Sequence, residues 1–233
     1  MAETDVEFFF DPVCPFCWVT SHWVRSVQRQ RGLGVDWRFI SLAMLNDAPG
    51  AYDGKPAHYP QAHQRGLQML RVAAAARHAH GREPVGALYQ AMGEAVWEAT
   101  PPVEAELDAL LAHTATAGDL EAILDRAGLP RALASAADDA AWDETIRAET
   151  NEALARTGGD VGTPILSFEP PDGPAFFGPV LGQAPPEKDA VRLWEAVETL
   201  AYCPTFAELK RGLRTFPDTP VTAKLAGSQT HVA

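Results

Sequence analysis

Apolar and polar positions along the chain switch between two periods, and the switch points locate its elements. Val6–Phe10 is β-branched or aromatic except for Glu7 and predicts a buried strand. Asp11 and Pro12 end it, because proline has no amide to give to a sheet ladder. From Trp18 to Arg31 the period becomes helical: Trp18, Val19, Trp23, Val24 and Val27 share about one face, and Gly32 and Gly34 close the helix. Val35–Ile40, with Trp37 and Phe39, predicts a second strand. The opening is therefore β–α–β, with Cys14 and Cys17 where the first strand hands over to the first helix.

A glycine- and proline-bearing loop over Asn46–Tyr59 leads into a helical block. Helices are expected at Gln61–His80, Val85–Ala99 and Glu104–Ala115, and Asp119 caps a short one ending at Gly128. Pro130 opens another, and Asp139 opens Ala140–Arg156. That stretch holds no strand-like run and no fixed-period repeat. Thr163–Phe168 and Ala175–Val180 then predict a hairpin around the turn Glu169–Pro174. Glu187–Tyr202 is amphipathic, and Pro204–Leu213 predicts a last short helix. The order β–α–β, helical block, β–β–α specifies an α/β chain: a thioredoxin fold with an all-helical domain inserted between its halves. The boundaries put residues 1–45 and 158–215 in the thioredoxin-like part, 46–157 in a helical lid and 216–233 in a flexible tail.

Composition narrows the partners. With 46% hydrophobic residues in 233, the chain can bury a core without staples. Its 31 acidic against 19 basic residues give a net charge of -12, which repels nucleic acid and anionic membrane surfaces. No apolar run is long enough to span a bilayer, and the acidic start lacks the marks of a secretory signal, so the cytoplasm is the expected compartment. Three cysteines do not make a disulfide framework.

Cys14-Pro15-Phe16-Cys17 carries the chemistry. Exchange between thiols and disulfides needs a thiolate, and a free cysteine of pKa about 8.5 is mostly protonated at neutral pH. A helix N-terminus supplies unpaired amides and positive partial charge, and Cys14 falls there, with Pro15 where its missing donor costs nothing. Cys14 is expected to be the exposed attacker and Cys17, one turn on, the resolving thiol. Half a zinc site is the competing reading, but no second ligand cluster accompanies the pair, and no metal is expected. In such a fold Pro164 is expected in cis beside the dithiol, with Thr163 presenting backbone groups to substrate. Asp11 is placed either to relay protons and tune the thiolate or to cap the turn. Phe16 and Trp18 offer an aromatic wall for substrate, although Trp18 also suits the core.

Phe10-Asp11-Pro12-Val13-Cys14-Pro15-Phe16-Cys17-Trp18, Ser41–Asn46, Asp160–Pro164 and Phe176–Val180 together resemble the DsbA-type oxidoreductase superfamily, and within it the cytosolic mycothiol-dependent reductase branch. The resemblance implies Cys14 as nucleophile, Cys17 as resolving thiol, cis-Pro164 and frequent homodimerisation. It also implies a low-molecular-weight thiol, mycothiol or glutathione-like, as co-substrate, with a disulfide or small electrophile as substrate and no tightly bound cofactor. The sequence departs from that branch at Phe16, where Trp is usual. Kappa-type glutathione transferases and 2-hydroxychromene-2-carboxylate isomerases share the architecture, but usually carry Ser or a single thiol where Cys14 stands. A non-catalytic redox-sensing adaptor is the third alternative. His22, His58, His63, His78, His80, Met44 and Asn46 are candidates to line a cleft under the lid. Arg65, Arg71 and Arg77 do not share one face, and Cys203 is a bystander.

Overall fold

The computed structural model describes residues 4–104, 106–159, 161–211, 214–225 and 229–230. Strand β1 (Val6–Phe10) runs parallel to β2 (Val35–Phe39) and antiparallel to β3 (Ile165–Phe168), which pairs antiparallel with β4 (Ala175–Phe177). The sheet order β2-β1-β3-β4, with helix α1 (Pro15–Arg31) joining β1 to β2, is the thioredoxin topology.

The two-residue period of β1 decides which face each side chain serves. Phe8 and Phe10 enter the main core with Trp18, Trp23, Trp37 and Trp194. Phe9 turns to the other face and packs with Ile40, Ala153 and Ile165. On the first face α1 meets α8 (Glu187–Ala201): the Trp23 indole donates to the Ala190 carbonyl at 2.9 Å and its ring lies 5.2 Å from Trp194. On the second face lies α7 (Asp143–Thr157), and the charges that share this face with Phe9 are paired. Arg38 bonds Glu7, Glu149 and Glu152; Arg156 bonds Glu7 and Glu152; Arg77 bonds Glu149 at 2.6 Å. Glu149 also accepts the Phe39 amide at 2.8 Å. A buried charge without such partners would be strongly destabilising, so this network fixes α7 and Arg77 in register with the sheet.

Between the halves lie α2 (Leu42–Leu45), α3 (Tyr59–His80), α4 (Glu83–Trp97), α5 (Leu107–Thr116) and α6 (Leu120–Arg126), then 3-10 turns at Arg131–Asp138 and Ala140–Trp142. Helix α4 crosses α1 closely: a methyl group on Gly93 would sit 2.1 Å from the Trp18 ring. No helix among the described residues is long and apolar enough to cross a membrane.

Five local expectations are corrected. Short helix α2, unexpected from its four-residue span, is nucleated by Ser41, whose hydroxyl accepts the Met44 amide. Helix α5 starts at Leu107, and Asp139 caps a 3-10 turn before α7 instead of α7 itself. No helix forms over residues 204–211: apart from Phe206 these side chains are exposed, Leu209 at 81%, so nothing rewards helix formation. The supposed tail is packed in its described part. Thr219, Val221 and Thr222 are buried, the two hydroxyls bond each other at 2.8 Å, and β5 (Arg214–Thr215) pairs with β6 (Gln229–Thr230). Pro and Thr there make a bonded turn, not a frayed end. Residues 1–3, 105, 160, 212–213, 226–228 and 231–233, which earlier expectations touch, lie outside the described residues.

Candidate active site

Cys14 is the N-cap of α1. Its backbone is extended (φ -88, ψ 113), its sulfur accepts the Cys17 amide at 3.3 Å, and Pro15 fills the first helical position. The turn that delivers it is closed by the Cys14 amide on the Asp11 carbonyl at 3.0 Å. From the far side of the sequence, the Thr163 hydroxyl donates to the same sulfur at 3.0 Å, and the Thr163–Pro164 bond is cis. Pro164 in turn accepts the Gly178 amide at 2.8 Å, which ties it to the end of β4.

These contacts polarise the pair. Burial opposes charge on Cys14, but hydrogen bonds from the Cys17 thiol, the Thr163 hydroxyl and the Cys17 amide outweigh it and hold the Cys14 thiol below its ordinary pKa. Cys17 goes the other way: burial, its bond to Cys14 and the charge there push it well above. The two shifts run in opposite directions, so Cys14 gives up its proton more readily than Cys17. The expectation of an exposed attacker is corrected, since Cys14 is only 5% exposed and Cys17 not at all. Helix α3 lies close above, where a methyl group on Gly66 would meet Asp11 Oδ1 at 2.5 Å and Val13 at 2.7 Å.

Asp11 joins three pieces of this site. It is fully buried; one carboxylate oxygen accepts the Val13 amide at 2.9 Å and the other the Leu42 amide at 2.8 Å. It caps the turn and the start of α2 together. Burial raises its pKa to about 7 against the pull of those two amides, and its charge in turn raises Cys14. A raised carboxyl stabilises the fold while it is neutral, and that contribution is lost as pH rises through about 7. Relative to the native chain, Asp11→Asn should therefore gain stability as pH is raised from about 5 to about 8, and thiol reactivity should lose its titration near 7. Urea unfolding and alkylation rates measured at both ends of that range check it.

The other expected residues divide. Phe16 and Pro15 are half-buried beside the dithiol. Trp18, expected to offer an aromatic wall, is 1% exposed, with its indole donating to Glu98 at 2.8 Å; it is core between α1 and α4. His22 packs edge-on against Trp18, His58 pairs with Asp108, and His78 lies beside Trp142. His80 is exposed. Among these candidate histidines His63 alone is buried, bonded to the Tyr52 hydroxyl at 3.0 Å with its pKa lowered by burial to about 4, so it is neutral near pH 7. Met44 is buried, and the Asn46 amide closes α2 on the Leu42 carbonyl at 2.8 Å. Arg65, Arg71 and Arg77 bond separate partners: the Ala117 carbonyl, Asp143 and Glu149. Cys203 bonds Thr205 at 3.4 Å.

Sequence reasoning missed Tyr59, Gly66 and Trp97. The Tyr59 phenol, first in α3, is raised in pKa by burial and by the charge on Cys14, which puts it within electrostatic reach of that sulfur. Gly66 was readable as an isolated glycine inside a helical run, a mark of close approach. The Trp97 indole donates to the Pro12 carbonyl at 3.0 Å, a contact across 85 residues that no local pattern reveals.

Comparison with known proteins follows the same lines. Residues 13–211 match the family model described as mycothiol-dependent nitroreductase Rv2466c. The chain is 30% identical over 227 residues to the uncharacterized protein Rv2286c of Mycobacterium tuberculosis, covering 97% of this chain and 87% of that one. Among solved structures it resembles "a putative protein disulfide isomerase from Nitrosomonas europaea" with TM-score 0.50 and 15% identity, over 84% of this chain and 98% of that one, a likeness of fold. A 2-hydroxychromene-2-carboxylate isomerase aligns with TM-score 0.42 and 18% identity, over 84% of this chain and 95% of that one.

Proposed function

Because the chain belongs to the Rv2466c-like family of mycothiol-dependent nitroreductases, we propose that it is a thiol-dependent reductase whose working group is the Cys14–Cys17 dithiol, with a mycothiol-like thiol as electron donor. The observation that carries this reading is the Cys14 sulfur accepting from both the Cys17 amide and the Thr163 hydroxyl, beside a protonated Cys17.

The cycle balances as two disulfide exchanges. In the reducing half, Cys14 thiolate attacks a substrate disulfide, forming a mixed disulfide and expelling one thiolate. Cys17 loses its proton and attacks the Cys14 sulfur, closing the Cys14–Cys17 disulfide and releasing the second substrate thiol. In the recharging half, two molecules of the small thiol reduce that disulfide and leave as their own disulfide. A small electrophile would accept the same two electrons. Cys17, kept protonated by burial, delivers a proton as the pair closes. Residues 46–157 serve in this reading as a lid over the dithiol.

A kappa-type transferase or chromene-carboxylate isomerase needs a bound thiol and no resolving cysteine, so the hydrogen-bonded pair favours the reductase. A redox-sensing adaptor would share the low-pKa thiol and its neighbour, so sustained donor-dependent turnover is what separates it from the reductase. The test is donor-dependent turnover: mycothiol with a model disulfide or nitro compound should support sustained reduction at a rate glutathione does not match. Equal rates with every thiol, or none, would remove mycothiol from the proposal.

A further inference from the structure

The dithiol is almost sealed, yet it must meet a thiol and a substrate. The segment following β5 bears on how it opens. This segment lies beyond residues 13–211, the part that matches the family model. Residues 217–225 bridge the two halves of the molecule. The Asp218 amide donates to the Gly182 carbonyl at 2.8 Å, beyond β4 on the thioredoxin side. The Val221 amide donates to the Trp97 carbonyl at 3.3 Å, at the end of α4. The Lys224 ammonium reaches the carbonyls of Pro102 and Val103 at 2.9 and 2.7 Å. Val221 is 2% exposed, and Thr222 bonds Thr219 and the Pro217 carbonyl, so the segment holds its own shape.

Trp97 carries this contact to the chemistry. The residue whose carbonyl receives the strap sends its indole N–H to the Pro12 carbonyl, inside the turn that presents Cys14. Its ring is 2% exposed, and the neighbouring Glu98 accepts the Trp18 indole of α1. One residue thus couples the strap, the end of α4 and the Cys14 turn.

We propose that residues 217–225 form a strap that holds the helical block closed on the Cys14 turn through Trp97, a positioning residue, and that its release admits thiol and substrate to Cys14. The strap's anchors are the buried Pro217, Thr219, Val221 and Thr222, the half-buried Leu225, a few backbone bonds and one exposed ammonium. Such a segment opens at lower free energy than the sheet does, which suits a gate. Because it concerns access to one sulfur, the proposal stands or falls apart from the redox reading.

The experiment compares full-length, reduced proteins for the rate of Cys14 alkylation, read by peptide mass spectrometry, alongside hydrogen exchange of residues 217–225. Val221→Asp places a charge in the strap's buried anchor and should speed Cys14 alkylation about tenfold while Cys203 stays constant as internal reference. Trp97→Phe keeps the ring, loses the indole N–H and should give a similar gain. The double variant should exceed either single one by no more than about twofold, because both act along one path. If Val221→Asp does not fold, Val221→Ala carries the same comparison at smaller amplitude. Strap amides that exchange freely while Cys14 alkylates at the native rate would overturn the proposal; fully additive gains would overturn the route through Trp97.

Discussion

Cys14→Ser should lower thiol-dependent turnover by about a thousandfold or more, while Cys17→Ser should stall after one half-reaction with donor or substrate bound to Cys14. The asymmetry follows from the site. Cys14 accepts hydrogen bonds from the Cys17 amide, the Cys17 thiol and the Thr163 hydroxyl and is held below the ordinary thiol pKa, so in the proposed cycle it attacks first; Cys17, buried and held well above the ordinary value, acts there only once a mixed disulfide has formed beside it. A hydroxyl at position 14 can accept the same bonds but is too weak a nucleophile at neutral pH. Steady-state rates and intact-mass spectra after exposure to mycothiol check both halves. Comparable adducts on Cys17 in the Cys14→Ser protein would reverse the assignment.

Thr163→Val should move the acid limb of the reactivity profile upward by roughly 1 to 2 pH units, because a hydrogen bond to a charged group contributes about 1.5–3 kcal/mol and each unit of pKa is worth about 1.4 kcal/mol. Valine matches threonine in shape and leaves the sulfur with the Cys17 amide and the Cys17 thiol as donors. The sign is fixed by which form is favoured. The hydroxyl stabilises the thiolate, so removing it raises the Cys14 pKa, and reactivity below that pKa falls while the plateau above it is kept. At pH values below both midpoints the loss is about tenfold or more. Rates of Cys14 alkylation across pH, native against Thr163→Val, measure it; superimposable profiles would strip Thr163 of the role.

The Cys14–Cys17 loop was legible in the sequence because its logic is local. A strand of four apolar residues, a proline stop, two cysteines three apart and a proline at the first helical position all lie within a dozen residues, and each follows from backbone chemistry. The topology was legible for a similar reason: switches of period mark β1, α1, β2 and the later hairpin. Asp11 was seen as a candidate, but its choice of Leu42 and Val13 as partners depends on where α2 starts, and α2 is too short to announce itself. Trp18 was ambiguous because an aromatic on the first helix can face the cleft or α4, and only the close approach at Gly93 decides. The network of Arg38, Arg77 and Arg156 with Glu7, Glu149 and Glu152 joins β1, β2, α3 and α7, so no local pattern in the sequence connects its members. The strap was misread for a different cause: proline, threonine, serine and glycine favour frayed chain when nothing receives them, and the receiving groups, Gly182 and Trp97, are far away in sequence.

The most direct test is the titration of Cys14 in the reduced native protein, followed by thiolate ultraviolet absorbance and by alkylation rate in parallel with Cys203. A midpoint below the value of about 8.5 for a free thiol is expected, with Cys17 silent until higher pH. A Cys14 midpoint at or above that of a free thiol, or ionisation of Cys17 ahead of it, would contradict the account.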